Sequence, residues 1–253
     1  MSKLNNLGKL SFKTDAEDIV EEKLLKNLFS KNIPSNELLE NLGLFLTSKN
    51  LSRLICLNDI YKKQIEINGN IFDFGTRWGQ NAAIFAMLRS IYEPFNRHKR
   101  VFAFDTFSGF KQIHKNDGES KLMKKGNLST SKDYESFLQN QLDSLDELNP
   151  LSSIKKNFVL KGDACIILKD LLKKNPEIIV SLAYFDFDLY EPTKKCLELL
   201  KSRFVRGTIV CFDEANDPDS PGETKAIMDA MGLNKIKLTR HLHASRISYF
   251  IFD

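Results

Sequence analysis

The sequence predicts an α/β fold, a mostly parallel sheet with helices on both faces. Three observations predict it. From residue 69 onward, apolar runs of strand length alternate with stretches of helical periodicity. That alternation calls for parallel strands joined by right-handed crossovers. The runs Ile179–Phe185 and Gly207–Phe212 stop abruptly in acids, Asp186-Phe187-Asp188 and Asp213-Glu214. The run from Gly69 to Phe74 leads instead into Gly75-Thr76-Arg77-Trp78-Gly79, a glycine turn of the kind that carries a strand into a helix.

The elements follow in order. Residues 1–13 are polar and expected to be loose. Thr14-Asp-Ala-Glu17 is a capping box for a helix bearing Ile19, Val20, Leu24, Leu25 and Leu28. Pro34-Ser35 is expected to open a second helix running through Leu57 to Tyr61, with a break near 48–50. Residues 1–62 thus form an N-terminal helical extension, read as a lid, a dimer face or plain packing. The main domain is 63–253. Its first strand, Gly69–Gly75, passes into a helix over Ala82–Tyr92, and a second strand, Arg100–Phe104, ends in Asp105. Residues 111–132 are the most polar stretch, and a loop this long inside a compact domain is usually functional. We read it as a substrate lid. A helix over 133–148 stops at Asn149-Pro150. A third strand, Asn157–Leu160, ends at Gly162-Asp163, and Ala164–Lys174 is helical. Beyond the strand 179–185, Pro192 suits a first helical turn, and a helix over 192–204 is expected. The strand 207–212, a polar loop, a helix over Glu223–Met231 and an antiparallel pair, Lys235–Thr239 with Ile247–Phe252, complete the chain.

Composition excludes several classes. Hydrophobic residues at 42% and charged residues at 28% are those of an ordinary soluble protein. The net charge of +4 is scattered, so it argues against nucleic acid and permits an anionic small substrate. The four cysteines, Cys56, Cys165, Cys196 and Cys211, form no CxxC pair and read as reduced, packed thiols. The N-terminus has no apolar leader and no later run spans a bilayer, so a cytoplasmic protein without membrane contact is expected.

In open α/β sheets, ligands bind beyond the carboxyl ends of the strands. Asp186 and Asp213 stand 27 positions apart, about one strand–helix–strand unit. Two neighbouring strand ends rich in carboxylates suggest a hard-cation site. Helix capping alone is the competing explanation. Asp105, ending the strand after a glycine turn, stands where ribose hydroxyls are held in nucleotide folds.

The series Asp73-x-Gly75, Asp105, Gly162-Asp163, Asp186-x-Asp188-x-Tyr190 and Asp213-Glu214 resembles a class I S-adenosylmethionine-dependent methyltransferase. Within that class, Phe104-Asp-Thr-Phe-Ser-Gly-Phe110 and Asp186-Phe-Asp-Leu-Tyr-Glu-Pro-Thr193 are similar to the macrocin O-methyltransferase family of metal-dependent sugar methyltransferases. The resemblance covers about residues 65–232. It implies a Rossmann-like seven-stranded sheet, mostly parallel, with an antiparallel last strand. It implies that Asp73, Gly75, Thr76 and Gly79 flank the methionine part of S-adenosylmethionine, that Asp105 and Thr106 meet its ribose, and that Asp163 and Ala164 meet its adenine. It implies that Asp186, Asp213 and Glu214 hold a divalent cation, most simply magnesium, with Asp186 also the catalytic base. Glu214 stands where the family commonly has Asp and lengthens that arm. Asp188 ranks below Asp186 and is expected to pack or cap.

The resulting expectation is a bacterial O-methyltransferase acting on a sugar, a similar polar small molecule or a glycan, in natural-product or glycan biosynthesis, with a homodimer one use of the N-terminal helices. Two alternatives remain: a nucleotide-binding oxidoreductase, disfavoured by the missing GxGxxG, and an inactive methyltransferase-fold interaction module. Among other residues, His241 and His243 are expected to share a side in a surface or substrate-contact role. His114 belongs to the lid, and His98, Lys124, Lys125, Lys194 and Lys195 are expected to be solvated. Trp78 is read as a cofactor stack or a buried anchor, and Tyr190 as a substrate orienter or helix packing.

Overall fold

The computed structural model describes residues 14–244 and 246–253. The expectation for residues 1–13 lies outside the described residues. Contacts divide the chain into two compact units between Leu54 and Ile55. In the first, α1 (Asp15–Leu28) starts from the expected capping box. Glu17 N–H donates to Thr14 Oγ1 at 3.3 Å, and Thr14 N–H donates to Glu17 Oε2 at 2.7 Å. Of the helix expected from Pro34 to Tyr61, the part before the break near 48–50 does not form. Residues 35–41 are turns and Leu42–Phe45 is a single 3-10 turn. Asn36, Asn41 and Gly43 are poor helix formers, and the Asn41 side chain donates back to the Glu37 carbonyl at 2.9 Å, a local bond that competes with the helix. α2 (Ser48–Lys63) begins at the anticipated break, where Thr47 Oγ1 accepts from Asn50 N–H at 3.2 Å.

The second unit, Ile55–Asp253, holds the sheet. Its strands are β1 (Asn70–Phe74), β2 (Val101–Asp105), β3 (Asn157–Lys161), β4 (Val180–Phe185), β5 (Phe204–Phe212), β6 (Thr239–Arg240) and β7 (Ser248–Ile251). They lie in the order β3-β2-β1-β4-β5-β7-β6. β7 alone runs against the other six strands, pairing antiparallel with β5 and β6, so the expected mostly parallel sheet with one reversed strand is what forms. The helices between them are α3 (Gln80–Tyr92), α4 (Tyr134–Glu147), α5 (Ala164–Lys174), α6 (Tyr190–Leu200) and α7 (Gly222–Ala230). Arg89 of α3 is buried and ties in α4 and β3, pairing with Asp146 at 2.5 Å and donating to Asn157 Oδ1 at 3.0 Å. Among the described residues, no helix is long and apolar enough to cross a membrane.

Three boundaries move. α6 ends at Leu200 rather than near 204, and β5 starts at Phe204 rather than Gly207. Gly207 lies inside β5 at φ +95°, where a Cβ would fall 2.6 Å from Ile67 Cδ1. A glycine that marks a bend and a close approach within a strand imitates a strand start in sequence. The strand expected over Lys235–Thr239 contracts to Thr239–Arg240, because Leu233–Lys235 forms a 3-10 turn.

The sheet is pinned by a row of rings. Phe104, Phe74, Phe185 and Phe212 are direct register partners across β2, β1, β4 and β5. Their centroids stand 4.8, 4.8 and 5.4 Å apart in that order. Each ring pair adds about 0.5–1.5 kcal/mol beyond the area it buries. All four side chains are fully buried. Phe185→Ala, at the centre of the row, is expected to cost about 3–5 kcal/mol of unfolding free energy. A urea unfolding curve reads this, and a midpoint unchanged from the parent would refute it.

Candidate active site

The phenylalanine row fixes what comes next. The residues directly beyond it are Gly75, Asp105, Asp186 and Asp213. Ladder bonds hold them level, with Gly75 N–H on the Phe104 carbonyl, Asp186 N–H on that of Phe74 and Asp213 N–H on that of Phe185, each at 2.9 Å. The carboxylates anticipated at strand ends therefore share one edge of the sheet.

At the β4 and β5 ends, Asp186, Asp213 and Glu214 each offer a carboxylate oxygen, and these oxygens lie within 4.8 Å of one another. Asp186 is half-buried, while Asp213 and Glu214 are buried. The Tyr184 hydroxyl donates to Asp213 Oδ1 at 2.5 Å. Arg246 pairs with Glu214 Oε1 at 3.1 Å, whereas Glu214 Oε2 is buried without a hydrogen-bond partner among the described residues. Two further acids join them. Asp188 is buried, and Glu223, fully buried at the start of α7, accepts from Phe187 N–H and Glu214 N–H, both at 3.1 Å. Burial first, and then the neighbouring carboxylates, push the Asp188 carboxyl up to about 7 and hold those of Glu214 and Glu223 well above the usual range. A set of crowded hard oxygen donors, one of them unpartnered, fits a divalent cation, which would relieve the repulsion.

Asp188 was expected only to pack or cap. It is buried, as packing requires, at φ +59°, and lies near enough to Asp213 for the two carboxylates to repel. Its place in Asp-x-Asp, two residues past the strand end, was the signal for that nearness. Glu223 gave no signal, because its role depends on α7 folding over both turns.

The glycine turn forms the other half of the edge. Asp73 is fully buried in β1. Gly75, at φ +79°, is required by β4, since a Cβ there would fall 1.9 Å from the Asp186 carbonyl oxygen. Gly79, also at φ +79°, is pressed by Leu138, whose Cδ1 would meet its Cβ at 2.1 Å. α3 then begins with no side chain capping it, so its first N–H groups stay available to an anion. Thr76 is buried with its hydroxyl unpartnered among the described residues. Asp105 accepts from Arg77 N–H at 2.9 Å and Phe107 N–H at 2.6 Å; burial raises its carboxyl and these bonds oppose the rise. The Thr106 hydroxyl donates to the Gly109 carbonyl at 3.0 Å. Asp163 caps α5, accepting from Cys165 N–H at 2.9 Å, with Ala164 buried beside it.

Several side assignments change. Trp78 is exposed rather than a buried anchor, meeting Tyr134 edge-on at 4.8 Å. Tyr190 is buried, with His114 stacked on its ring at 4.9 Å, so packing explains both. The 111–132 loop is stitched down, as Asp117 is buried and accepts from Tyr190 N–H at 2.6 Å. His241 is buried rather than on the surface, its Nε2 3.5 Å from Asp59 Oδ2, whereas His243 is exposed. His98, Lys124, Lys125 and Lys195 are exposed as expected, while Lys194 is half-buried against Tyr190. Cys165 is half-buried, its sulfur 3.9 Å from that of buried Cys196.

Comparison with known proteins decides the family. No family model and no curated protein matches the chain. Solved structures do. CalS11, a calicheamicin methyltransferase, superposes with a TM-score of 0.93 at 31% identity, covering 97% of this chain and 96% of its own. The chain belongs to the same family of S-adenosylmethionine-dependent O-methyltransferases. The apo structure of CalS11, described as a TDP-rhamnose 3'-O-methyltransferase, gives 0.85 at 30% identity, over 97% of this chain and 98% of that one. The O-methyltransferase NovP, 18% identical, shares the fold at 0.59 over 79% of each chain. The methyltransferase is an enzyme of the EC 2.1.1 class using S-adenosylmethionine, which removes the oxidoreductase alternative.

The buried acids set a pH dependence. Asp188 binds its proton more tightly folded than unfolded, so its contribution to stability is full below its ordinary value of 3.8 and is lost as the pH rises through about 7. The chelator-treated enzyme is expected to melt at progressively lower temperature across that window. Asp188→Asn, an amide tolerated at positive φ, should flatten the slope. Calorimetric scans at a series of pH values check this, and a melting point that rises across the window would contradict it.

Proposed function

We propose that this methyltransferase transfers a methyl group from S-adenosylmethionine to a hydroxyl of a sugar, or of a similarly polar molecule, with the help of a divalent cation such as magnesium. The observation that carries the reading is the convergence of Asp186, Asp213 and Glu214 within 4.8 Å, level with the cofactor turn. The named activity of CalS11 on TDP-rhamnose supports the sugar. The finer placement in the macrocin family rests on Phe104–Phe110 and Asp186–Thr193.

The sulfonium is already a strong methyl donor, so the protein's task is alignment and proton removal. The uncapped start of α3 would receive the donor's carboxylate, Asp105 its ribose, and Asp163 with Ala164 its adenine. Asp186, Asp213 and Glu214 would hold the cation, which lowers the pKa of an adjoining hydroxyl. Asp186, the most open of these three acids, accepts the hydroxyl proton. The Tyr184 hydroxyl fixes Asp213, and Glu223 clamps both turns through their backbone amides. A buried, crowded acid set that costs stability is hard to reconcile with an inactive interaction module.

Two outcomes follow. Asp186→Asn is expected to lower turnover about 10²–10⁴-fold, with S-adenosylhomocysteine binding within a few-fold of the parent by calorimetry; undiminished turnover would remove the base. Chelator treatment should abolish methylation of a sugar acceptor, and added magnesium should restore it. Full activity in excess chelator would exclude the cation.

A further inference from the structure

Glu214 is a long arm in a crowded place. Its main chain is fixed on both sides. Its N–H donates to Glu223 Oε2 and its carbonyl accepts from Asp217 N–H, both at 3.1 Å. Its side chain still has three torsions to settle, one more than an aspartate has. Arg246 reaches that side chain from the connection between β6 and β7. Its Nη2 stands 3.1 Å from Glu214 Oε1, and its Nε stands 2.9 Å from Asp217 Oδ2. Asp217 is aimed in turn, since its Oδ1 accepts from Asp219 N–H at 2.9 Å. The main chain behind Arg246 is tied as well. The Ile247 carbonyl accepts from His241 N–H at 2.9 Å, and Ile247 N–H donates to the Ala244 carbonyl at 3.2 Å.

Balance of charge is the simplest reading of such an ion pair, and the geometry departs from it. A guanidinium can grip one carboxylate with two parallel bonds, which satisfies both oxygens. Here the fork is split between two carboxylates, and Glu214 receives it on Oε1. Glu214 Oε2 is left buried without a hydrogen-bond partner among the described residues, in a residue only 4% exposed. Buried carboxylate oxygens are seldom left so. The two oxygens therefore have different tasks. Oε1 is where the arm is held, and Oε2 is kept for something else. The acids around it, Asp186 and Asp213, bring their own oxygens within 4.8 Å of those of Glu214.

We propose that Arg246 is a positioning residue for the cation site: it holds Glu214 through Oε1 and so keeps Oε2 set for the cation. The inference rests on the cation reading above. Arg246 acts through Glu214 and does not itself meet the cation. Groups that orient a metal ligand in this way typically govern about 10–100-fold of metal affinity. The sign of the effect separates this role from charge balance. A guanidinium that only balanced charge would repel a divalent cation nearby, and its removal would tighten cation binding. A guanidinium that positions the long arm makes cation binding weaker when it is removed.

The test is calorimetric titration of the chelator-treated full chain with magnesium chloride. It is run on the parent, Arg246→Ala and Arg246→Lys, with S-adenosylhomocysteine binding as the control for folding. Arg246→Ala is expected to bind magnesium at least about tenfold more weakly than the parent. Arg246→Lys is expected to regain part of the loss, because an ammonium can still hold Oε1 but lacks the fork that reaches Asp217 as well. The affinity for S-adenosylhomocysteine is expected to be the same in all three proteins. Equal or tighter magnesium binding by Arg246→Ala would overturn the proposal. So would a lysine variant as weak as the alanine one, or a loss of S-adenosylhomocysteine affinity in step with that of magnesium. The cation reading fails separately. A parent that binds no magnesium sinks that reading and this role with it, whereas magnesium binding that Arg246→Ala leaves intact keeps the cation and sinks the role of Arg246.

Discussion

The register of the four central strands is the constraint on which the site depends. Phe104, Phe74, Phe185 and Phe212 stack across the sheet one residue before Asp105, Gly75, Asp186 and Asp213. Side chains alternate with a period of two, so a slip of one residue in any strand would take its phenylalanine out of the ring row and its strand-end residue out of level with the others. The ring row thus does two things with one interaction. It supplies core packing, and it brings the chemistry of separate strands to a common height.

That height places carboxylates where they repel. Asp188, Asp213, Glu214 and Glu223 are all buried at the ends of β4 and β5 or over them. The fold manages this with directed donors. The Tyr184 hydroxyl serves Asp213, two backbone amides serve Glu223, and Arg246 serves Glu214. Burial first, and the neighbouring carboxylates after it, still hold the Asp188, Glu214 and Glu223 carboxyls above their ordinary range. Stored electrostatic cost of this kind is typical of functional sites. The glycine at position 75 belongs to the same economy of space: its missing Cβ is what lets the β1 turn lie against the Asp186 carbonyl.

The reversed strand β7 has a role beyond closing the sheet. Running back beside β5, it delivers Arg246 to the acidic group and places Arg240, on β6, in the same row as Phe212. A parallel strand there would have left from the opposite edge and could not have joined the two places through one short connection.

The strand–helix alternation, the acids at Asp105, Asp186, Asp213 and Glu214, and the capping box at Thr14 were legible in the sequence, because each is a local pattern of period, turn or cap. So was the order of the elements around the glycine turn. The tertiary structure decided the rest. Residues 34–47 carry helical spacing yet form turns, since Asn41 and Gly43 weaken the helix locally. Gly207 reads as a strand boundary but is a bend inside β5, set by Ile67. Glu223 and Tyr184 show no pattern that marks them, because a buried carboxylate clamping two distant turns exists only once α7 lies over them. Local chemistry is written residue by residue; which distant charges share a space is set by the packing of the elements that carry them.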